Sequence, residues 1–387
     1  MGKLKIGLLF PRSSLYPGIG FDVTEGFRAA LQYFDANEIT LITDNVGIGG
    51  MGDDVYQKAE KMLLNDQVDI LVAYIDHFAA EKVEPLMAAA NRILIAIDPG
   101  ASVPISWAAA PLTFHLTLDA AFGSRITGHM AGTDGSTNGA FLTSFYDGGY
   151  LSCSAMINGY NEQGGTVVYN YVAPFRFEEF DIAPLQAAME ALQPNVVLAQ
   201  LSMDMGTLFL KEYAAAGLAA KARFFASPFL LEEVFLDTLA FPFEGITGCV
   251  PWARQLDNEM NSAFTKTITE DHGRQPNCFA ALAWDAARFA MMVAEALRAN
   301  NNNGKKAAAA LKGAIFEGTR GPMQLDDHTN YFTTPLYHAA IVPKEDGQSQ
   351  LQLGSPVADV AAQWQAFTTQ PTIGVFSRWT NTYLCTT

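Results

Sequence analysis

The segment from residue 65 to residue 102 constrains the fold more than any other part of the chain. Ile70–Ile75 and Arg92–Ile97 are short apolar runs that fit buried strands, and residues 79–91 between them have helical spacing. Two strands joined through a helix pair in parallel, and the crossover is right-handed. The segment therefore predicts a parallel βαβ unit.

Polar residues follow both of these strands, Asp76 and His77 after the first and Asp98–Ser102 after the second. The carboxyl ends of parallel strands meet at one edge of the sheet, where open α/β sheets bind ligands. The chain contains no GxSxG or HExxH pattern, and its other histidines are scattered. We therefore interpret Asp76 and His77 as polar ligand contacts rather than as catalytic residues.

Length and charge narrow the class of protein. With 387 residues the chain is long for one hydrophobic core, which favours two lobes. A net charge of −16 makes nucleic acid or an anionic membrane an unfavourable partner. The four cysteines show neither a CxxC motif nor metal-ligand spacing, so we expect no metal and no cofactor.

The βαβ pattern occurs along two successive parts of the chain, the first hundred residues and a second series that starts near Gly139. Such repetition predicts two mainly parallel sheets. We expect the first helix over Asp22–Ala36, with Asp22 as its N-cap and Glu25 completing a capping box. Beyond Val342, glycines suggest a loop-rich tail.

Two glycine-containing loops of the first half are ambiguous. Gly47–Gly52 matches GxGxxG, a pattern that can bind a pyrophosphate, but it follows the second strand and polar residues separate the two, which favours a flexible turn. The loop 11–21 carries Ser13 and Tyr16; it either binds a polar ligand group or is a long turn with Tyr16 packed on the surface.

The second half presents a comparable set of loops. Aromatic residues there alternate with short polar ones, as suits a mostly apolar pocket with a few fixed hydrogen bonds. The candidate ligand contacts of these loops are Tyr146, Tyr150, Ser202, Pro228 and Phe229.

With these loops in place, the chain resembles the type I periplasmic solute-binding proteins, in particular the branched-chain amino acid binding proteins of ABC transporters. The resemblance extends roughly from Lys5 to Val342. It rests on Gly26-x-x-x-Ala30-Leu31, the turn Asp98-Pro-Gly-Ala-Ser102, Tyr150, and Gly321-Pro-Met323 before the last strands.

The resemblance implies an α/β fold of two Rossmann-like lobes with parallel sheets, joined by a three-strand hinge. The implied crossings lie near residues 116–119, 248–252 and 321–327. The first lobe would comprise residues 1–118 plus 252–322, and the second 119–251 plus 323–387. Ligand would bind between the two lobes, which close by a hinge.

The resemblance also assigns roles to single residues. Gly100 and Ser102 match the turn that binds the amino acid's ammonium and carboxylate groups, Tyr150 matches a ligand-contacting tyrosine, and Tyr16 lies near another without clear register. His77 stands where a carboxylate-binding serine is expected. No acid stands at Pro228 where an ammonium-binding glutamate is expected, although Glu232 and Glu233 follow. These departures favour an aromatic or aliphatic acid over an α-amino acid, with His77 pairing with its carboxylate.

The implied function is that of an extracytoplasmic solute-binding protein that captures a small organic acid or amino-acid-like ligand. It is not an enzyme, and its partners are a carboxylate-containing small molecule and an ABC transporter permease; we expect a monomer. The location would be periplasmic or extracellular, with the leader absent from the sequence as written, which opens Met-Gly-Lys-Leu-Lys. Two alternatives remain open: a ligand sensor of the same fold, and a nucleotide-dependent enzyme using Gly47–Gly52.

Overall fold

The computed structural model describes residues 3–50, 52–133, 135–345, 347–370 and 379–386. The chain divides into two compact units. Unit 1 comprises Met1–Leu118, Leu256–Pro335 and Trp379–Thr387, and unit 2 comprises Asp119–Gln255 and Leu336–Arg378.

Strands and helices alternate along the first stretch of unit 1. Its elements are β1 Leu4–Phe10, α1 Ile19–Tyr33, β2 Ile39–Asn45, α2 Asp53–Leu64, β3 Ile70–Tyr74, α3 His77–Ala90, β4 Ile93–Asp98 and β5 Thr113–Thr117.

The same alternation continues through the first stretch of unit 2. Its elements are α4 Ala120–Gly132, β6 Asn138–Ser144, α5 Leu151–Glu162, β7 Thr166–Ala173, α6 Ala183–Leu192, β8 Val196–Gln200, α7 Met203–Ala215, β9 Arg223–Ala226, α8 Glu233–Asp237 and β10 Ile246–Val250.

The chain then returns to unit 1 and afterwards to unit 2. The elements in unit 1 are α9 Glu259–Glu270, α10 Cys278–Ala299, α11 Gly304–Ala310, β11 Ile315–Gly318, β12 Gly321–Leu325 and β13 Phe332–Thr333. Those in unit 2 are β14 Tyr337–Pro343, β15 Ser349–Pro356 and α12 Val360–Thr369.

The main sheet of unit 1 has the order β2-β1-β3-β4-β5, and all its pairings are parallel. β3 and β4 are buried along their whole length, as expected for strands covered by helices on both faces. One face packs on α2 and α3 through a cluster that includes Met62, Leu71 and Val83. The loops after the five strands therefore lie at one carboxyl edge.

Unit 2 has a seven-stranded sheet of order β15-β14-β10-β9-β8-β6-β7. β6 to β10 pair in parallel, whereas β14 and β15 add an antiparallel ribbon to β10. Helices α4 and α5 pack at close range, because a side chain on Gly128 or Gly159 would overlap the backbone of the facing helix. The predicted α/β fold of two lobes with mainly parallel sheets is confirmed.

The division into units differs from the predicted boundaries in the last part of the chain. β12 and β13 pair with each other next to β11, so residues up to Pro335 group with unit 1 rather than crossing at 321–327. Residues 379–386 also belong to unit 1, and the second crossing falls at 255–256.

Two local predictions are wrong. Asp22 is not an N-cap: α1 begins at Ile19, and Asp22 is a buried residue of its first turn that pairs with Arg274 at 2.8 Å. The prediction of a loop-rich tail is wrong for residues 349–369, since these contain β15 and α12. The contact of Asp22 with Arg274 is distant in sequence, so local residue patterns do not contain it. β15, by contrast, pairs with the preceding strand β14.

Candidate ligand-binding site

Asp76, at the carboxyl edge of unit 1, forms a structural hydrogen bond at the start of α3. Asp76 caps α3, because its carboxylate accepts the backbone N–H of Ala79 at 2.9 Å. Burial raises the pKa of Asp76 to about 6, against the lowering effect of the N–H groups of Ala79 and Phe78. Asp76 is therefore a helix cap, and its carboxylate serves the start of α3 rather than the imidazole of His77.

His77 begins α3 and lies in a small cavity of about 70 Å³. Within the described part of the chain, neither ring nitrogen has a hydrogen-bond partner, although only 4% of the residue is exposed. Burial lowers the pKa of His77 to about 4, so the ring is neutral at pH 7. A neutral ring can donate one N–H to a carboxylate but adds no positive charge.

The other residues around this cavity do not suit an anion. Glu81 and Glu84 extend along α3, and burial raises the pKa of both carboxyl groups. His115 stacks on Tyr331 at 4.2 Å, and burial together with His77 lowers its pKa to about 3. These contacts place the predicted carboxylate partner His77 beside two acids.

The turn after β4 is largely buried, and Ser102 is its most exposed residue. Gly100 has a φ of 70°, the left-handed conformation that favours glycine, and Ser102 is half-buried. Tyr16 is buried rather than packed on the surface: its hydroxyl donates to Asp22 at 2.9 Å and its ring lies 5.2 Å from that of Phe279. Of the candidates in unit 1, Ser102 is thus more exposed than Gly100, Tyr16 and Asp76.

Unit 2 has a buried hydrogen-bond network at its carboxyl edge. Ser144, at the end of β6, donates to Asp147 Oδ2 at 2.6 Å, and Ser202, just after β8, donates to Asp147 Oδ1 at 2.7 Å. The network joins two neighbouring strand ends and fixes the loop that carries Tyr146 and Tyr150.

The two tyrosines of this loop form a pair. The Tyr150 hydroxyl donates to the Tyr146 hydroxyl at 3.1 Å, with ring centroids 5.4 Å apart. Pro228 and Phe229 start a buried 3₁₀ turn after β9, immediately behind Ser227. The structure thus brings all five candidates of unit 2 to the carboxyl ends of β6, β8 and β9.

The sequence interpretation missed two groups of residues at these edges. Ser144 and Asp147 were not among the candidates, although Ser-x-x-Asp is a capping-box pattern and the Asp147 N–H does donate to the Ser144 hydroxyl at 2.9 Å. The second group is the segment 379–386, for which no local pattern indicated a role.

Residues 379–386, which we call the edge segment, lie on the loops after β1 and β2. Thr382 donates its N–H to Ile48 O at 2.9 Å and its Oγ1 to Gly49 O at 2.7 Å. The Ser14 N–H donates to Thr386 O at 2.8 Å. The edge segment therefore bonds the carbonyls of Ile48 and Gly49 and packs closely against Gly50, which disfavours a nucleotide phosphate there.

Two further properties concern the described residues as a set. No group of three or more His, Cys, Asp or Glu side chains among them is arranged to hold a metal ion. Across the same ranges, no helix combines the length and the apolar character that crossing a membrane requires.

Comparisons with known proteins agree with this fold. A curated relative, the Leu/Ile/Val-binding protein homolog 6 of Brucella suis, is 22% identical over 89% of each chain. A solved R. palustris ABC transporter solute-binding protein in complex with benzoate has a TM-score of 0.73 and 23% identity, over 92% of this chain and 98% of that one. LivJ from Streptococcus pneumoniae in complex with isoleucine has a TM-score of 0.68 and 16% identity, over 91% and 99%.

The family assignment rests on most of the chain. The family model described as periplasmic binding protein matches residues 3–348. This match, with the relatives above, confirms the predicted resemblance. The chain belongs to the periplasmic binding protein family.

Proposed function

We propose that the chain is an extracytoplasmic solute-binding protein of an ABC transporter and that its ligand is a small organic acid with an aromatic or aliphatic body. It would deliver this ligand to a permease, act as a monomer and catalyse no reaction. The observation that carries the choice of ligand is the state of three acids of unit 2: Asp147, Glu232 and Glu233 already accept hydrogen bonds within their own unit.

The acids of unit 2 illustrate this point. Asp147 accepts two serine hydroxyls. Glu232 accepts the N–H of Val234 and Glu233 that of Arg254, each at 2.6 Å. An α-amino acid needs an acceptor for its ammonium group, and an acid engaged in this way is a poorer acceptor than one whose oxygens face solvent.

Donors are better represented among the candidate contacts. The hydroxyls of Tyr146 and Ser102 and the backbone N–H groups of the Gly100 turn can bind a carboxylate oxygen, while the Tyr150 hydroxyl donates to Tyr146 and holds that hydroxyl in place. Phe229 and the tyrosine rings provide apolar surface for the body of the ligand. The benzoate found in a structural relative has this combination of one carboxylate and one apolar ring.

His77 has a lesser role in this proposal than the resemblance implies. Its ring is neutral at pH 7 and lies beside Glu81 and Glu84.

A thermal-shift screen tests the proposal. Benzoate, 4-hydroxybenzoate, short aliphatic acids and isoleucine would each be added to the purified protein. A ligand at about a hundred times its dissociation constant stabilises the folded state by roughly 2.7 kcal/mol. We expect an acid without an amino group to raise the melting temperature most.

Two outcomes of the same screen would contradict the proposal. A shift with isoleucine alone would overturn the ligand class, and the absence of any shift across a broad panel would overturn the function. Tyr150→Phe should weaken the bound acid. Ser154→Ala is the matched control, because the Ser154 hydroxyl donates to Leu151 O within α5.

A further inference from the structure

The edge segment occupies polar groups that parallel strand ends usually offer to a ligand. Its contacts reach two separate loops of unit 1, those after β1 and β2. Beyond the bonds of Thr382, the Ser13 hydroxyl donates to Leu384 O at 2.5 Å, and the hydroxyls of Ser14 and Thr386 lie 3.0 Å apart.

Residues 381–385 of the segment are buried, whereas Trp379 and Thr380 are exposed. Thr382, Tyr383, Leu384 and Cys385 are each at most 2% exposed. A side chain on Gly50 would overlap the carbonyl of Thr380, and one on Gly49 would come within 2.7 Å of Thr382 Oγ1. The two glycines are therefore required for the segment to lie where it does.

This packing divides the carboxyl edge into two parts. The edge segment engages the loops after β1 and β2, whereas Gly100 and Ser102 lie in the turn after β4, two strands away from β1 in the sheet. A ligand that lies at the β4 turn and extends along the edge toward β1 would meet the edge segment, because only β3 separates β4 from β1 in the sheet.

We propose that the edge segment is a specificity-determining element that shortens the ligand site of unit 1, so that acids of about one ring in length bind and longer ones are excluded. The inference rests on the proposed function, since it concerns the same carboxyl edge. It assigns the role of the GxGxxG-like loop: Gly49 and Gly50 admit the chain's own backbone rather than a phosphate.

A glycine pair in one loop provides a matched test. Gly50→Ala adds a methyl group that collides with Thr380 and should displace the edge segment; Gly50 is not among the residues with positive φ. Gly52→Ala is the control, because its methyl would meet only Asp54, at 3.6 Å or more, and its φ is −101°.

Displacement has its own readout that needs no ligand. The chain has four free cysteines, all buried, and Cys385 in the edge segment is 0% exposed. In the native state, a maleimide should modify Cys385 in Gly50→Ala and leave the wild type and Gly52→Ala unlabelled, with the modified residue identified by peptide mass. Equal labelling of Cys385 in all three proteins would overturn the inference that a side chain at position 50 displaces the edge segment.

Ligand selectivity is then measured with two probes, benzoate and the longer biphenyl-4-carboxylate. We expect Gly50→Ala to improve the affinity for biphenyl-4-carboxylate relative to benzoate by roughly tenfold or more, with Gly52→Ala unchanged. Thr382→Val, which deletes the bond to Gly49 O without a clash, should act in the same direction and more weakly, and it replaces Gly50→Ala if that variant fails to fold.

The outcomes separate the two proposals. An unchanged selectivity ratio with Cys385 labelled overturns the specificity role and leaves the proposed function standing. No binding of any acid in the panel to any of the proteins overturns the proposed function, and the specificity role with it.

Discussion

Ser202 Oγ lies 2.7 Å from Asp147 Oδ1 and thereby connects the end of β8 to the loop after β6. Asp147 is 1% exposed and also accepts the Ser144 hydroxyl, so two hydroxyls replace the water that a buried carboxylate loses. These contacts together hold the loop that carries the tyrosine pair that we propose for ligand binding.

Ser202→Ala should destabilise unit 2 and weaken the ligand together. A hydrogen bond to a charged group contributes about 1.5–3 kcal/mol, and its removal leaves Asp147 underbonded. Urea unfolding of the variant measures the loss. Asp147→Asn keeps both serine partners but removes the carboxylate charge, and we expect it to lose less stability per hydrogen bond than Ser202→Ala does. A Ser202→Ala protein with unchanged stability would contradict the role of this contact.

Asp76 and His77 should give opposite pH dependences of stability. The folded pKa of Asp76 is raised to about 6 from 3.8, so its contribution to stability is lost as the pH rises from about 4 to about 6. The folded pKa of His77 is lowered to about 4 from 6.5, so its contribution is lost as the pH falls from about 6.5 to about 4.

Single variants separate these two contributions. Asp76→Asn retains a helix cap and should leave a protein whose stability falls more steeply as the pH is lowered from about 6 to about 4. His77→Phe should shift the profile the other way. Unfolding free energies measured at intervals across this window and at neutral pH check both signs, and identical profiles for the two variants would contradict the assigned pKa shifts.

Asp285 and Arg320 form an ion pair in unit 1 in which both side chains are fully buried. Asp285 also accepts the N–H and hydroxyl of Thr319, and Arg320 donates to Thr117 O at 2.6 Å. Removing one partner of such a pair typically costs about 3–5 kcal/mol, because a charge remains buried without compensation.

Arg320→Met should therefore destabilise unit 1 by about that amount, measured by chemical denaturation. Arg298→Met is the control, since Arg298 pairs with the exposed Glu38 at 3.3 Å and surface pairs contribute at most about 1 kcal/mol. Equal losses of unfolding free energy in the two variants would show that burial does not determine how much an ion pair contributes to stability.

Gly159→Ala should destabilise unit 2 although alanine is the better helix former. An added methyl group would overlap the backbone carbonyl of Arg125 in α4, so the helices must separate. We expect a loss of about 1–3 kcal/mol, as for overpacked cores, in thermal or urea unfolding. A stabilised variant would mean that the α4–α5 contact is looser than the structure has it.

Much of the fold was predictable because its signals are local. The buried run 70–75 and the helical spacing of 79–91 correspond to β3 and α3 within two residues, and the repeated βαβ pattern corresponds to two mainly parallel sheets. The candidate loops at both carboxyl edges follow from the same topology, since it places every loop after a strand at one edge.

The remainder depends on contacts between distant residues. Aspartate is a common N-cap residue, but Asp22 lies within the first turn of α1 and pairs with Arg274, which is 252 positions away. A histidine such as His77 is a suitable partner for a carboxylate, but in the fold it lies in a cavity whose wall includes His115 and Tyr331. The sequence around His77 does not show this burial. The edge segment is the extreme case, because Ser13 lies 371 positions before its partner Leu384 and Gly49 lies 333 positions before Thr382.

Unit 1 is assembled from three separate stretches of chain, the last of which is the edge segment. Domains generally fold as units during synthesis, beginning at the N-terminus. Here the loops after β1 and β2 are made early, yet their hydrogen-bond partners emerge only when residues 380–386 have been synthesised. The first unit to leave the ribosome is thus completed by residues that are made after most of the second unit.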